Sequence, residues 1–253
     1  MFYIGIDIGS SCSKVCVMDE ENVFFTFMLP TGFNSKNTAE SIKNMLIEKN
    51  IDIDNSKIVA TGSGRVSVPY ADDTVTEISC HGKGADYLFK RNTCVIDIGG
   101  QDTKAISLKN GRVMKFLMND KCSAGTGKFL EIMANRLGVD LIELEELAKN
   151  GDDIRISSMC TVFAESEVIS LIGEGKSRED IASWVINSVV TKVVSLASQL
   201  NATDYVLTGG FCENKYFIEC LSKALNAPVD SMPEARYAGA IGASIYAKEK
   251  FGE

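Results

Sequence analysis

Several features that mark common functional classes are missing from this sequence. Its 253 residues include one histidine, His81, and no Cys-x-x-Cys pair. Lys and Arg number 26 against 34 Asp and Glu, so the net charge is -8. An acidic balance of that size argues against a nucleic-acid surface, though not against a nucleotide held through Mg2+ and backbone donors. No apolar run is expected to reach the length of a membrane span. The first residues enter a strand pattern directly, without the basic and apolar regions of a signal peptide. The expected location is the cytoplasm. Eight cysteines in that setting are not a disulfide framework. A lone histidine is more often a hydrogen-bonded structural residue than a catalyst. No linker or low-complexity stretch divides the chain, and 45% hydrophobic with 24% charged residues is an ordinary globular balance.

What is present is a repeat. Residues 95–113 read as a short apolar strand containing Asp97, the pair Gly99-Gly100, a second strand over 103–108, a turn at Lys109-Asn110-Gly111, and a third strand from Val113. Alternating and β-branched residues bounded by glycine and an Asn-Gly dipeptide are the signature of a tight antiparallel hairpin. The start of the chain repeats the pattern at a constant offset of 90. Ile6, Asp7, Ile8, Gly9 and Lys14 recur as Ile96, Asp97, Ile98, Gly99 and Lys104, with Ser13 answered by Thr103. Each copy delivers an aspartate to the edge of a glycine turn, where backbone N–H groups can face a phosphate without a side chain in the way. Two related halves facing each other would hold a triphosphate from both sides, the aspartates reaching its Mg2+ directly or through water.

Taken in order, residues 1–29 are expected as three strands of a meander, 38–49 as a helix, and 57–61 as a strand. Thr61 to Arg65 reads as a turn rather than a phosphate site, and 78–89 as a helix that carries His81 beside Cys80. Helical spacing returns over 129–137, 162–172, 178–200, 214–225 and 238–248. The last of these, with Ala238, Gly239, Ala240, Gly242 and Ala243, can pack very close to another backbone. Residues 205–208 form a strand running into Gly209-Gly210. Cys16, Cys94 and Cys220 fall in strand or helix patterns as small hydrophobes. Cys122 and Cys160 differ. Each is expected just before a helix N-terminus, where unpaired N–H groups and the macrodipole favour an anion, lower a thiol pKa and suit a thiolate ligand. Two cysteines per chain are too few for a zinc site or a cubane, which usually take four ligands. Either they are inert or redox-sensitive thiols, or a two-fold dimer supplies two from each subunit around a site on its axis.

The strand–glycine–strand repeat, Thr208-Gly209-Gly210 and Ala238-Gly239-Ala240 resemble the two phosphate loops, adenosine loop and closing connector of the actin, Hsp70 and sugar-kinase superfamily. Within it, DIGGQDTK at 97–104, NDKCSAGTGKF at 119–129, MCTVFAESEV at 159–168 and TGGFCEN at 208–214 resemble the activator component of 2-hydroxyacyl-CoA dehydratases, to which the ATPase subunits of benzoyl-CoA reductase are related. The resemblance covers essentially the whole chain. It implies an α/β protein of two actin-like (ribonuclease H-like) subdomains with a nucleotide cleft between them. Residues 1–93 would form the first, completed by 238–253, and residues 94–237 the second.

It further implies a homodimer sharing one [4Fe-4S] cluster on Cys122 and Cys160 of each subunit, with ATP or ADP in each subunit. The protein would be a one-electron donor, charged by reduced ferredoxin or flavodoxin and driven by ATP hydrolysis to reduce a partner dehydratase. Asp7 and Asp97 would serve Mg2+, mostly through water. Gly9, Ser10, Ser11, Cys12 and Lys14 would line the first phosphate loop, and Gly99, Gly100, Gln101 and Asp102 the second. Gln101 or Asp102 would orient the attacking water. Gly209, Gly210 and Asn214 would border the adenosine, while Glu165 would either reach the nucleotide or only finish a helix turn. Two rivals stand beside this assignment. A sugar kinase of the same fold needs a general-base aspartate and a built acceptor pocket, and gives no reason for Cys122 and Cys160. An ATP-switched regulator would carry zinc in place of iron and sulfur.

Overall fold

The computed structural model describes residues 1–152 and 161–252. Strand β1 (Phe2–Ile8) is apolar on both faces, and all but its first residue are buried, as in a strand covered from both sides. It pairs antiparallel with β2 (Cys12–Met18), which pairs antiparallel with β3 (Val23–Pro30). On its other side β1 runs parallel to β4 (Ser56–Thr61), and the short β5 (Asp73–Thr74) completes the order β3-β2-β1-β4-β5. This register sets Asp7 opposite both Lys14 and Thr61.

The crossover between β3 and β4 is helix α1 (Ser35–Glu48), opened by Asn34, whose side chain accepts from the Lys36 N–H. Its buried Ala39, Ile42 and Leu46 lie in one apolar cluster with Ile4, Ile6 and Ile8 of β1. A second cluster joins β1 to α2 (Glu77–Phe89) and α8 (Ala238–Phe251) through Tyr3, Cys80, Ala240 and Ala243. The close approach expected of the closing helix is realised. A Cβ on Gly5 would collide with the Ala240 carbonyl, one on Gly84 with that of Ala238, and one on Gly242 with that of Cys80.

The second sheet has the order β10-β9-β6-β7-β8, made of β6 (Thr93–Ile98), β7 (Thr103–Lys109), β8 (Arg112–Asn119), β9 (Tyr205–Gly209) and β10 (Val229–Asp230). Five helices accompany these strands: α3 (Gly127–Leu137), α4 (Leu141–Ala148), α5 (Thr161–Gly173), α6 (Arg178–Ala197) and α7 (Lys215–Leu225). Helix α4 was not expected, although Asp140 and Glu143 close a capping box at its start. Contrary to the expectation that no apolar run is so long, the stretch Arg178–Leu200 meets the length and apolarity of a membrane span. Within it Ile181 to Ile186, Val189, Val190, Val193 and Ala197 are buried, so it serves as a core helix.

The chain separates into two compact units. One comprises Met1–Val95, Ile106–Phe116 and Met232–Glu253, the other Ile96–Ala105 and Leu117–Ser231. The first phosphate loop belongs to the first unit. The second phosphate loop, Gly209-Gly210 and Cys122 belong to the second.

Candidate functional site

In the first unit, β1 ends at Asp7 and Ile8, and the chain turns through Gly9, Ser10 and Ser11 into β2. Thr31 closes this loop. Its N–H donates to the Ser11 carbonyl at 3.0 Å, its hydroxyl donates to the Gly9 carbonyl at 2.7 Å, and Ser13 Oγ lies 2.8 Å from that hydroxyl. Ser10 and Ser11 remain exposed, while Lys14 is half-buried. Cys12 is half-buried and donates to the Leu29 carbonyl at 3.3 Å; burial pushes its thiol pKa up.

Asp7 is itself only 3% exposed. Two glycines let the backbone approach its carboxylate. A Cβ on Gly62, which has φ +84°, would lie 2.5 Å from Asp7 Oδ1, and one on Gly239 would lie 2.5 Å from Oδ2. His81, also buried, sets Nε2 3.9 Å from Asp7 Oδ2 and 3.9 Å from Glu77 Oε1. Residues 61–65 thus do turn, as expected, but the turn lies directly against Asp7. Nothing local in Thr-Gly-Ser-Gly-Arg signals that; it follows from the parallel register of β4 on β1.

The second loop is built from charge. Asp97 is 3% exposed and Lys104 1%. Lys104 Nζ lies 3.3 Å from Asp97 Oδ2 and 2.9 Å from Asp102 Oδ2, and the Thr208 hydroxyl donates to Asp97 Oδ1 at 3.1 Å. Asp102 also closes the turn through its backbone, its carbonyl accepting from Gly99 N–H at 2.9 Å. The four loop residues therefore divide. Gln101 is exposed, whereas Asp102 is turned toward Lys104. Gly209, with φ +86°, brings its Cα so close that a Cβ would lie 2.6 Å from the Ile98 carbonyl and 2.8 Å from Asp97 Oδ1. Gly210 is exposed and meets nothing. Asn214 Oδ1 caps α7 by accepting from Phe217 N–H at 2.7 Å, which leaves its amide nitrogen for any other contact. Lys104 and Thr208 stand within the motifs read from the sequence, but neither was given a role in the site. The lysine's recurrence at Lys14 and Lys104 was visible, but its burial was not.

Cys122 lies in the turn between β8 and α3 and is exposed; among the described cysteines no other is. Asn119 Nδ2 holds this turn by donating to the Cys122 carbonyl at 2.9 Å and the Ala124 carbonyl at 3.1 Å. The Thr103 hydroxyl donates to the Gly125 carbonyl at 2.6 Å, and Ser123 Oγ lies 2.8 Å from Thr161 Oγ1 at the head of α5. One expectation is corrected here. The first N–H groups of α3 are not open to an anion beside Cys122, because Gly127 N–H donates to the Gly99 carbonyl at 3.0 Å and Lys128 N–H to the Gly100 carbonyl at 2.9 Å. The second phosphate loop caps the helix. Cys160 lies outside the described residues. Glu165 pairs with Arg136 of α3, which ties α5 to α3. Of the remaining thiols, burial pushes those of Cys16, Cys80 and Cys94 up to about 12, as befits small core residues. Cys220 is only half-buried.

These donor sets fit the groups implied by the resemblance. Asp7 and Asp97 are buried carboxylates packed against glycine backbone, oxygen donors of the kind that Mg2+ takes directly or through water. An exposed thiol on a pinned turn is what a ligand shared between two chains needs.

Comparison with known proteins is consistent across sequence and structure. The chain is 40% identical over 99% of its length, and 98% of the relative's, to the (R)-2-hydroxyglutaryl-CoA dehydratase activating ATPase of Acidaminococcus fermentans. The crystal structure of that organism's (R)-2-hydroxyglutaryl-CoA dehydratase component A superposes with a TM-score of 0.92 at 38% identity, covering 99% of this chain and 98% of the other. The activator of the 2-hydroxyisocaproyl-CoA dehydratase from Clostridium difficile, solved with bound ADPNP, gives 0.91 at 35% identity, covering 99% and 95%. The fold is therefore the actin-like α/β fold that the resemblance implies. Residues 4–247 match the model of the BadF/BadG/BcrA/BcrD ATPase family, and the chain belongs to that family.

Proposed function

We propose that this chain is the ATP-dependent activator of a 2-hydroxyacyl-CoA dehydratase, working in the cytoplasm as a homodimer. Residues 1–93 with 238–253, and residues 94–237, are the two subdomains of this reading. Asp7 and Asp97 serve the Mg2+ of the bound nucleotide, mostly through water. Ser10, Ser11 and Lys14 offer donors to the phosphates from the first loop, as do the N–H groups of Gly100 and Gln101 from the second, which Gly99 also lines. Gln101, the exposed member of its pair, orients the attacking water, and Asp102 holds the loop's shape. Gly209, Gly210 and the Asn214 amide border the adenosine. Cys122 and Cys160 of both subunits hold a [4Fe-4S] cluster. That group, when bound, supplies one low-potential electron, received from ferredoxin or flavodoxin and passed to the dehydratase.

The observation that carries the reading is the pair of hydrogen bonds from Gly127 and Lys128 to the carbonyls of Gly99 and Gly100. They tie the turn bearing an exposed cysteine to a nucleotide loop, an arrangement for which a sugar kinase has no use. Similarity at 40% identity to an activating ATPase favours the same choice. Anaerobic purification tests it. A broad visible absorption with four irons per dimer, together with ATP hydrolysis to ADP, is expected. Protein that hydrolyses ATP but binds only zinc after anaerobic reconstitution would establish the regulator instead.

A further inference from the structure

Lys104 carries a role that the proposed function does not use. One buried ammonium faces two carboxylates, Asp97 at 3.3 Å and Asp102 at 2.9 Å, from a position that is 1% exposed. A lysine that reached for phosphate from this loop would have to present its ammonium at the surface. This one is turned inward. Its two partners sit at opposite ends of the glycine turn, Asp97 before Gly99 and Asp102 after it, so the ammonium closes the turn with a charge-assisted clamp. Gly99 N–H donating to the Asp102 carbonyl at 2.9 Å closes the same ring through the backbone.

What the clamp holds in place is the outer edge of the turn. The carbonyls of Gly99 and Gly100 accept the first two amides of α3, at 3.0 and 2.9 Å, and Thr103, next to Lys104, donates its hydroxyl to the Gly125 carbonyl at 2.6 Å. Helix starts have orphan N–H groups that need acceptors, and α3 has no side-chain cap: Thr126 occupies the N-cap position, but its hydroxyl donates to the Ser123 carbonyl instead. The helix start therefore depends on the shape of the loop. A glycine turn does not keep one shape unaided.

We propose that Lys104 is a positioning residue. By holding Asp97 and Asp102 together it fixes the carbonyls of Gly99 and Gly100 as the cap of α3, and so fixes the turn that carries Cys122. The inference concerns the protein without nucleotide or cluster, so its test does not depend on the proposed activity.

Residue-resolved amide hydrogen exchange of the nucleotide-free, iron-free protein provides that test. Lys104→Met and Asp102→Asn should each accelerate exchange at Gly127 and Lys128, by about tenfold or more, while Val189 inside α6 keeps its wild-type rate. Because both substitutions break one clamp, the double variant should exchange no faster than Lys104→Met alone, rather than showing the product of the two effects. A lysine that only fills space would give independent, multiplying effects. Unchanged exchange at Gly127 and Lys128, or multiplying effects, overturns the proposal. If Lys104→Met also accelerates Val189, Asp102→Asn decides alone, since it leaves the Lys104–Asp97 pair in place. Acceleration confined to Gly127 and Lys128 in that variant then supports the clamp, and wild-type rates refute it.

Discussion

The two phosphate loops are copies of one pattern, yet they are fastened by different means. The first is fastened by hydroxyls: Thr31 holds the Gly9 carbonyl, and Ser13 lies against the Thr31 hydroxyl. The second is fastened by charge, through Lys104, and its carbonyls are given to the start of a helix. A shift of the first loop strains neighbouring strands. A shift of the second displaces α3 and with it the turn that bears Cys122. On the proposed function the shared motif offers donors to phosphates, and the fastening of the second loop lets that loop report on them.

The largest effects should separate the second unit's thiols. Cys122→Ser is expected to abolish iron incorporation after anaerobic reconstitution while leaving circular dichroism unchanged, because the thiol is exposed and supports no core. Cys220→Ser, made alongside, should keep its iron; iron content per dimer checks both. Full four-iron content in Cys122→Ser would remove this residue from the ligand set.

Next come the aspartates, where the comparison between loops sharpens. Asp7→Asn and Asp97→Asn should each slow ATP hydrolysis on the order of a hundredfold. Stability is the second readout. Asp97→Asn removes one of the two carboxylates that face the buried Lys104 ammonium and should cost about 3 kcal/mol in denaturant unfolding. Asp7→Asn, unfolded in the same way, gives the corresponding cost for the first loop. Equal losses would mean that the second loop is not specially dependent on charge.

A smaller contrast lies within one dipeptide. Gly209→Ala meets both a positive φ and the Ile98 carbonyl, and should cost about 2 kcal/mol. Gly210→Ala meets nothing and should stay within about 0.5 kcal/mol of wild type. Thermal unfolding of the two proteins checks the contrast. The smallest effect concerns Cys12. Since burial raises its pKa, its thiolate is scarcer at neutral pH than that of an ordinary thiol of about 8.5. Alkylation of Cys12 should therefore lag that of Cys122 near pH 7.5 and keep rising with pH beyond 8.5 or so. Peptide mapping after a timed iodoacetamide pulse measures both rates.

Much of this arrangement was legible in the sequence because it is local. The short apolar runs of β1 and β6, the glycines at 9, 99 and 209, and the small residues of α8 each state their geometry within a few positions. Helix α4 was equally local, with Asp140 and Glu143 as a capping box, and was missed through its short apolar run. The rest depends on contacts between distant segments. Gly62 reaches Asp7 only through strand register, and Lys104 is turned inward to face Asp97 and Asp102. The helix start after Cys122 looked open because the acceptors of its amides, Gly99 and Gly100, lie more than a strand hairpin earlier in the chain.

If nucleotide binds at the second loop as proposed, its state should reach the Cys122 turn through the start of α3. The direct measurement is the rate at which an iron chelator strips the reconstituted dimer, compared between ADP and a non-hydrolysable ATP analogue. Since linkage requires differential interaction with the two states, transmission through α3 predicts a rate that changes on exchange of nucleotide, and a change much reduced in Asp102→Asn. Identical chelation rates with ADP and the analogue, in protein that binds both, would contradict it.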